Sequence, residues 1–494
     1  MPYNLADTGA SKRPGWPWTL VRGFNQFNNF MNNDFQSAKG GDGDEPSLSL
    51  SGAVEAVRSL LPTTEPKKFL FVSYDALISD LAWQVLKEGH EVKYYIKHAT
   101  HQAIADGFVP KVDDWRKETD WADVIVFDDV LGMGKWAKEM RTKGKLVVGG
   151  TPYTDQLEDD RAFGQEELKR AGITIIPYEN FTSFDEAIAY VISHPARYVI
   201  KPSGEAQNVK RFLFVGQEDD GKDVIQVLEA YKRLWSKKIK VFQLQKRISG
   251  VEVAVGAFFN GREFVYPINV NFEHKKLFPG NIGPSTGEMG TSMFWSMPNR
   301  IFNSTLLKMQ ETLSRENYVG YIDLNCIVNN NGIYPLEFTS RFGYPTIHIQ
   351  QDGILMPMGE FLYQLSNGSL KKFKAKSGFQ VGIRLVVPPF PYGGEIKGSA
   401  ADSRDTVLLF KKPNLEGIHI EEVKKNNGDW LVAGSFGVVL VVVGTGSTMK
   451  QARDQVYNRI NNILIPNMYY RDDIGERWFE DSDKLHSWGY LREM

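Results

Sequence analysis

"YIDLNCIVNNNGIYPLEFT" runs from Tyr321 to Thr339. Two apolar, β-branched and aromatic runs flank a turn of the "NNNG" type, which reads as a β-hairpin. With Asn329–Asn331 as a three-residue loop, Asp323 and Glu337 stand directly opposite each other on one face. Strand alternation puts Asn325 and Thr339 beside them on that face. Two facing carboxylates repel unless a cation lies between them, and hard oxygen ligands of this kind suit Mg²⁺ with a nucleotide's phosphates. The plainer alternative is a hairpin whose two acids lie near a solvent-exposed end.

Residues on either side add charge to this pattern. Downstream, Arg341 in "SRFGYP" can fork onto a carboxylate. Upstream lies "GNIGPSTGEMGTSMFW", Gly280–Trp295, whose glycines and Pro284 argue against a regular helix or a central strand. Such a stretch is either slack surface or backbone kept bare for a ligand, and His274, Lys275 and Lys276 stand just before it. Further upstream, Lys201 ends the apolar strand "RYVIKP", placed to reach a phosphate as a point charge. Lys246 and Glu252 follow a strand in the same way in "LQKRISGVE".

The rest of the chain divides by pattern. Residues 1–66 are Asn-, Gly- and Ser-rich and read as a flexible extension, with aromatics that offer a possible dock for a protein partner. Strands and helices alternate from 67 to 152 ("KFLFVSY", "EVKYYIK", "ADVIVFDD", "KLVVGG"), implying a parallel α/β domain with ligand sites at the strands' carboxyl ends, near Ser73–Asp75 and Asp128–Asp129. Residues 153–372 mix strands with helices, including one long helix over "STLLKMQETLSRENY". A small β-rich domain follows over 373–470, with a tail at 471–494. The fold class is therefore α/β and α+β, multidomain. At 494 residues the chain is too long for one core, and its net charge of −2, with both signs interleaved, speaks against nucleic-acid binding. A single cysteine, Cys326, excludes disulfides within the chain. With no apolar run long enough to span a bilayer and no signal-like start, a cytoplasmic location is expected.

Three separated motifs, in order, resemble the ATP-grasp fold and, within it, the phosphoribosylamine–glycine ligase family. "EHKK…GPSTGEMG" resembles that family's Asp-His-Lys followed by Gly-Pro-Asn-Thr-Gly-Gly-Met-Gly. "LEFTSRFGYP" is similar to its Glu-Phe-Asn-x-Arg-Phe-Gly-Asp-Pro, and "YYRDDIGER" to its closing segment. The resemblance implies an ATP-dependent carboxylate–amine ligase acting through an acyl phosphate, with ATP and Mg²⁺ (or Mn²⁺) as cofactors and small-molecule acid and amine substrates. It implies that Arg161 and Lys201 bind phosphate, that Lys210 reaches the nucleotide from the lid "SGEAQNVKR", and that Lys246 and Glu252 hold adenine and ribose. Asp323, Glu337 and Thr339 then hold metal. His274, Gly283, Pro284, Thr286, Gly287 and Glu288 line the acceptor pocket. Lys275 is catalytic, and so is Arg341, which holds a carboxylate or steadies the acyl phosphate.

Departures from the family pattern fall at informative places. The first strand leads into "SYDALISDLAW", where the family has a glycine-rich phosphate loop. The lid keeps one glycine, Thr339 replaces a metal-binding Asn, Glu288 replaces a glycine, and Tyr344 and Thr346 replace acids. Three readings follow: an active ligase with an altered substrate, a true phosphoribosylamine–glycine ligase of purine biosynthesis, or an inactive ATP-grasp binding or assembly module. Thermal unfolding separates the last from the others. A ligand at one hundred times its dissociation constant stabilises a fold by about 2.7 kcal/mol, so a nucleotide site raises the midpoint by a few degrees in millimolar Mg-ATP. An unmoved midpoint marks a binding module.

Overall fold

The computed structural model describes residues 65–128, 132–203, 206, 209, 212–392 and 402–491. The N-terminal extension, with its proposed partner dock, and Lys210 lie outside the described residues.

The apolar run "KFLFVS" forms β1 (Lys68–Ser73), buried along nearly its whole length. A strand buried on both faces belongs inside a parallel sheet. β1 pairs in parallel with β2 (Glu91–Ile96) and β3 (Val124–Phe127), and β4 (Leu146–Val148) completes the order β2-β1-β3-β4. The expected helix after β1 spans Ser79–Lys87 and stops at Gly89, whose φ is 92°.

A second layer is small and antiparallel. β5 (Tyr178–Phe181), β6 (Tyr198–Pro202), β7 (Phe214–Val215) and β8 (Phe242–Lys246) lie in the order β5-β8-β6-β7. Helices Phe184–Ser193 and Lys222–Trp235 cover one face, sharing a core with Ile200, Phe242 and Leu244. Alternation along β8 turns Gln243 and Gln245 to the other face, where Lys201 lies opposite Gln243.

The main sheet has eight strands. β9 (Val251–Asn260) and β10 (Phe264–Glu273) are followed by a hairpin of β11 (Lys276–Phe278) and β12 (Ile282–Ser285), then β13 (Gly290–Ser296), β14 (Val319–Asn329), β15 (Gly332–Thr339) and β16 (Phe379–Val386). Later come β17 (Val407–Phe410), β18 (Ile418–Ile420), β19 (Val423–Asn426), β20 (Asp429–Val432), β21 (Val438–Gly446) and β22 (Ile463–Leu464). The sheet order is β15-β14-β9-β10-β13-β16-β21-β18, so strands from the C-terminal segment extend the sheet begun by β9. The remaining four form a separate sheet, β19-β20-β17-β22.

Three local expectations need correction. The hairpin loop holds two residues, since Asn329 pairs with Gly332, and the register shifts once more beyond Cys326, which pairs with Pro335. Pro335 offers no N–H to the ladder, and Leu336 forms the extra residue of a bulge. Asp323 therefore faces Thr339, and Asn325 faces Glu337. The glycine stretch is neither slack nor free of central strands: Gly290–Ser296 is β13, paired on both sides with β10 and β16. A Cβ at Gly290 would lie 2.6 Å from the carbonyl oxygen of Gly382, so the glycine permits close pairing and the neighbours satisfy the strand. Finally, the long helix breaks at Thr305, whose hydroxyl donates to the Ile301 carbonyl at 2.6 Å. It leaves helices Arg300–Ser304 and Gln310–Arg315 joined by a 3₁₀ turn, Leu306–Met309.

A buried ion triad ties the N-terminal layer to the main sheet. His419 on β18 meets Asp80 Oδ2 at 2.7 Å through Nδ1 and Asp352 Oδ1 at 3.3 Å through Nε2. Asp80 belongs to helix Ser79–Lys87, and Asp352 to helix Thr346–Gly353. Burial alone would lower the pKa of His419, but the two carboxylates outweigh it and push it up to about 10. Burial opposes ionisation of Asp80 as well, and His419 brings it down to about 2. Because the histidine is raised from 6.5, its stabilisation is complete below pH 6.5 and is lost as pH rises through about 10. The thermal midpoint is expected to fall along that alkaline limb. His419→Gln should remove the limb and destabilise the protein by about 3–5 kcal/mol, as when one partner of a buried pair is removed.

Candidate active site

Register decides what gathers on the open face of the main sheet. One cross-strand row reads Glu337, Asn325, Ala254, Asn271, and the next reads Thr339, Asp323, Gly256, Asn269. Alternation adds Glu252 on β9 and Glu273 on β10 to the same face. Small residues at the centre of β9 make room for the polar ones. A Cβ at Gly256 would come within 2.1 Å of the Tyr321 hydroxyl and 2.6 Å of Asp323 Cβ.

Lys275, just past β10, reaches into this face. Its Nζ lies 3.0 Å from Glu337, 3.1 Å from Glu273 and 3.5 Å from Glu252, three acids from three strands. Lys275 is the foremost cause that brings Glu337 down to about 2. The ammonium itself is held well above its usual range: burial works against the charge, and the acids prevail. Asn325 Nδ2 donates to Glu252 Oε1 at 2.9 Å.

Asp323 is different. It is 1% exposed, and its Oδ1 has no hydrogen-bond partner among the described residues. Burial raises its carboxyl well above the usual range, with Glu273 and Glu158 adding to the rise. A buried orphan carboxylate oxygen in a row with Thr339 and next to Glu337 is a donor set that fits one divalent cation, all oxygen and of both charged and neutral type.

Cations line the other side. Arg161 opens helix Arg161–Arg170 and donates from Nη1 to the Pro202 carbonyl at 3.1 Å, at the end of the strand carrying Lys201. Lys201 is pushed down to about 8, by burial first and then by Arg161, with Lys275 adding and Glu337 opposing. A buried lysine depressed further by a neighbouring guanidinium forms a place for an anion. Arg341 meets Glu158 at 2.9 Å, and Glu158 also accepts from the Ser340 amide at 3.0 Å. Lys246 does not join the cluster: it is exposed and lies on the helix-covered side of β8, with Phe242 and Leu244.

The glycine stretch is tied down at several points. Thr286 donates to the Lys275 carbonyl from its amide at 2.8 Å and its hydroxyl at 2.9 Å, fixing the lysine's backbone. Gly283 takes a φ of 82°, and its neighbour Pro284 lies in β12 against β11. Gly287 is exposed, its Cβ position 3.7 Å from Arg384 Nη1. Glu288 is buried, with Oε1 unpartnered among the described residues, and burial and then Glu273 raise its carboxyl well above the usual range. His274 corrects the expectation of a cation. It is buried on the far face of β10, and burial, Arg477 and Arg471 lower it to about 3, so its imidazole is neutral.

Sequence reasoning passed over Glu273 and Glu158. Glu273 had a signal, since Asn269, Asn271 and Glu273 alternate along an otherwise apolar strand. Glu158 had none, because only tertiary packing brings its helix under Ser340. At the N-terminal sheet's carboxyl edge, Asp128 Oδ2 accepts from both the Ser73 hydroxyl and the Tyr74 amide.

Comparison with known proteins bears on this arrangement. Residues 159–347 match the family model of the phosphoribosylglycinamide synthetase ATP-grasp (A) domain, and residues 392–477 match that of the phosphoribosylglycinamide synthetase C domain. Together they span more than half of the chain. The phosphoribosylamine–glycine ligase of Halalkalibacterium halodurans is 25% identical over 392 residues, covering 77% of this chain and 88% of that protein. Among solved structures, a Thermotoga maritima phosphoribosylamine–glycine ligase aligns with a TM-score of 0.62 at 21% identity, over 82% of this chain and all of that one. The biotin carboxylase domain of Hydrogenobacter thermophilus 2-oxoglutarate carboxylase, solved with MgADP, aligns at 0.59 and 13% identity, over 87% of this chain and all of that one. At these identities the structural likeness speaks for the fold.

The orphan acid makes a prediction with a definite sign. A carboxyl raised in the fold destabilises the folded state once pH exceeds its unfolded value, about 3.8. Asp323→Asn should leave the thermal midpoint without nucleotide unchanged or higher at pH 7, and should abolish the Mg²⁺-dependent part of the shift produced by ATP. Calorimetric scans with and without Mg-ATP check both arms.

Proposed function

Because the chain belongs to the ATP-grasp phosphoribosylglycinamide synthetase family, whose members are ATP-dependent ligases, we propose that it activates a small carboxylic acid as an acyl phosphate and couples it to an amine other than a simple phosphoribosylamine. The observation that carries this reading is the single lysine shared by three carboxylates beside Asp323, one of whose oxygens is unpartnered among the described residues, with Arg161 and Lys201 close by. Such an arrangement is poised for a polyanion and a cation together, as phosphoryl transfer requires.

In this reading Arg161 and Lys201 receive the phosphates. Asp323 and Glu337, with Thr339, would hold Mg²⁺, which when bound offsets charge on the transferring phosphoryl group. A substrate carboxylate oxygen attacks the γ-phosphorus, and ADP departs. Arg341 and Lys275 balance the negative charge on the acyl phosphate. The amine nitrogen then attacks the acyl carbon, inorganic phosphate leaves, and the nitrogen sheds a proton. The neighbouring acids Glu273 and Glu288 favour binding of the amine as its ammonium, which gives up one proton to solvent before the attack and a second afterwards, and Thr286 holds the backbone between them.

The altered amine is supported at the edge of the parallel sheet. A phosphate-binding turn needs free backbone amides. Here the Tyr74 amide and the Ser73 hydroxyl are already taken by an anion, Asp128. A second reading, a phosphoribosylamine–glycine ligase in purine biosynthesis, rests on the names of the curated relatives.

Hydroxylamine tests the activation step without knowing the amine, because it intercepts an acyl phosphate as a hydroxamate. The full chain with Mg-ATP, hydroxylamine and a panel of amino and hydroxy acids is expected to release ADP and hydroxamate in equal amounts with one acid class. Arg341→Met and Lys275→Met should each lower that rate by at least about 100-fold. Absence of ADP release with every acid would sink the ligase reading. Glycine activation followed by efficient capture of phosphoribosylamine would favour the second reading instead.

A further inference from the structure

Two loops at the carboxyl edge of the parallel sheet bring three metal-binding side chains together. Asp75 lies two residues past β1, His98 two residues past β2, and His101 one turn further. Each offers one ligand atom, and these atoms lie within 4.8 Å of one another. Asp75 Oδ1 and His101 Nδ1 are 3.2 Å apart. Tetrahedral ligands at bond lengths of about 2.0–2.1 Å lie about 3.3 Å apart, so this pair already has the right spacing.

The ring nitrogens are arranged for ligation. His101 is 1% exposed, and its Nδ1 makes no hydrogen bond among the described residues despite the nearby carboxylate. Its other nitrogen, Nε2, is 3.4 Å from Ser435 Oγ. His98 has the opposite arrangement: Nδ1 is engaged by Thr100 Oγ1 at 2.9 Å, leaving Nε2. A ligating histidine characteristically has its non-ligating nitrogen hydrogen-bonded to an outer partner, which fixes tautomer and ring direction. The partner of His101 is itself held in place. Glu422 accepts the amides of Phe436 and Gly437, at 3.1 and 2.8 Å, anchoring the loop that carries Ser435. The Phe436 ring stacks edge-on against His101, with centroids 5.1 Å apart.

We propose that Asp75, His98 and His101 form a binding site for one divalent transition-metal ion of the Zn²⁺ class, separate from the nucleotide centre. Two imidazoles and one carboxylate select a borderline ion over Mg²⁺. Three protein ligands leave at least one coordination position for water or for an anionic oxygen of a small ligand. On an edge where Asp128 already occupies the backbone amide, the ion supplies the positive charge that the missing glycine-rich loop does not.

The test uses the full chain, stripped by chelator and titrated with Co²⁺ alone, read by visible ligand-field absorption and by isothermal titration calorimetry. One equivalent with the absorption of four- or five-coordinate Co²⁺, displaced by Zn²⁺ but not by Mg²⁺, is expected in the unaltered protein and in Asp323→Asn. An equivalent that disappears in Asp323→Asn belongs to the nucleotide centre. His98→Ala and His101→Ala should each abolish the signal. Thr100→Val keeps all three ligands, loses the hydroxyl on His98 and should weaken binding by about 10-fold. The proposal is overturned by no Co²⁺ equivalent in the unaltered chain, or by one that survives both histidine substitutions. If the histidine variants do not fold, an unchanged affinity in Thr100→Val overturns it equally.

Discussion

The candidate site depends on one ammonium group held among carboxylates that would otherwise repel one another. Glu252, Glu273 and Glu337 come from three different strands, and Lys275 is within salt-bridge range of all three. Without that cation the acids would push β9, β10 and β15 apart or take up protons. The lysine is in turn positioned by Thr286, which holds its carbonyl twice, and by the β11–β12 hairpin that follows. Charge balance, the glycine-rich stretch and strand register are thus one constraint seen from three sides.

Much of this was legible in the sequence, and the reasons for the rest are physical. Strand and helix alternation around "KFLFVSY" gave the parallel sheet, because a doubly buried strand has an unmistakable composition. The acids Asp323 and Glu337 stood out because charge in an apolar strand demands a partner. Their mutual register did not, because Pro335 and a one-residue bulge change the pairing in a way that alternation alone cannot encode. β13 was hidden for a related reason: Gly290 and its neighbours have poor intrinsic strand preference, and the partners on both sides decide. Glu158 was invisible because its relation to Arg341 is wholly tertiary.

The two edges of the molecule's polar architecture treat anions in opposite ways. Beside the main sheet, Arg161 adds to the burial that lowers Lys201, with Glu337 opposing, so an incoming anion would relieve the repulsion. At the parallel sheet's edge, Asp128 already satisfies the backbone where an anion would dock. In the reading proposed above, the fold keeps the phosphate-handling half of its family's chemistry and revises the half that recognises the other substrate.

Lys201 carries one more implication. An amine held near 8 is partly deprotonated in a neutral to mildly alkaline buffer, and a polyphosphate beside it restores its affinity for the proton. Nucleotide association at Lys201, as proposed above, would therefore be coupled to proton uptake from the solvent. The heat of binding would then include the buffer's own ionisation enthalpy and differ between HEPES and Tris at one pH, with the affinity unchanged.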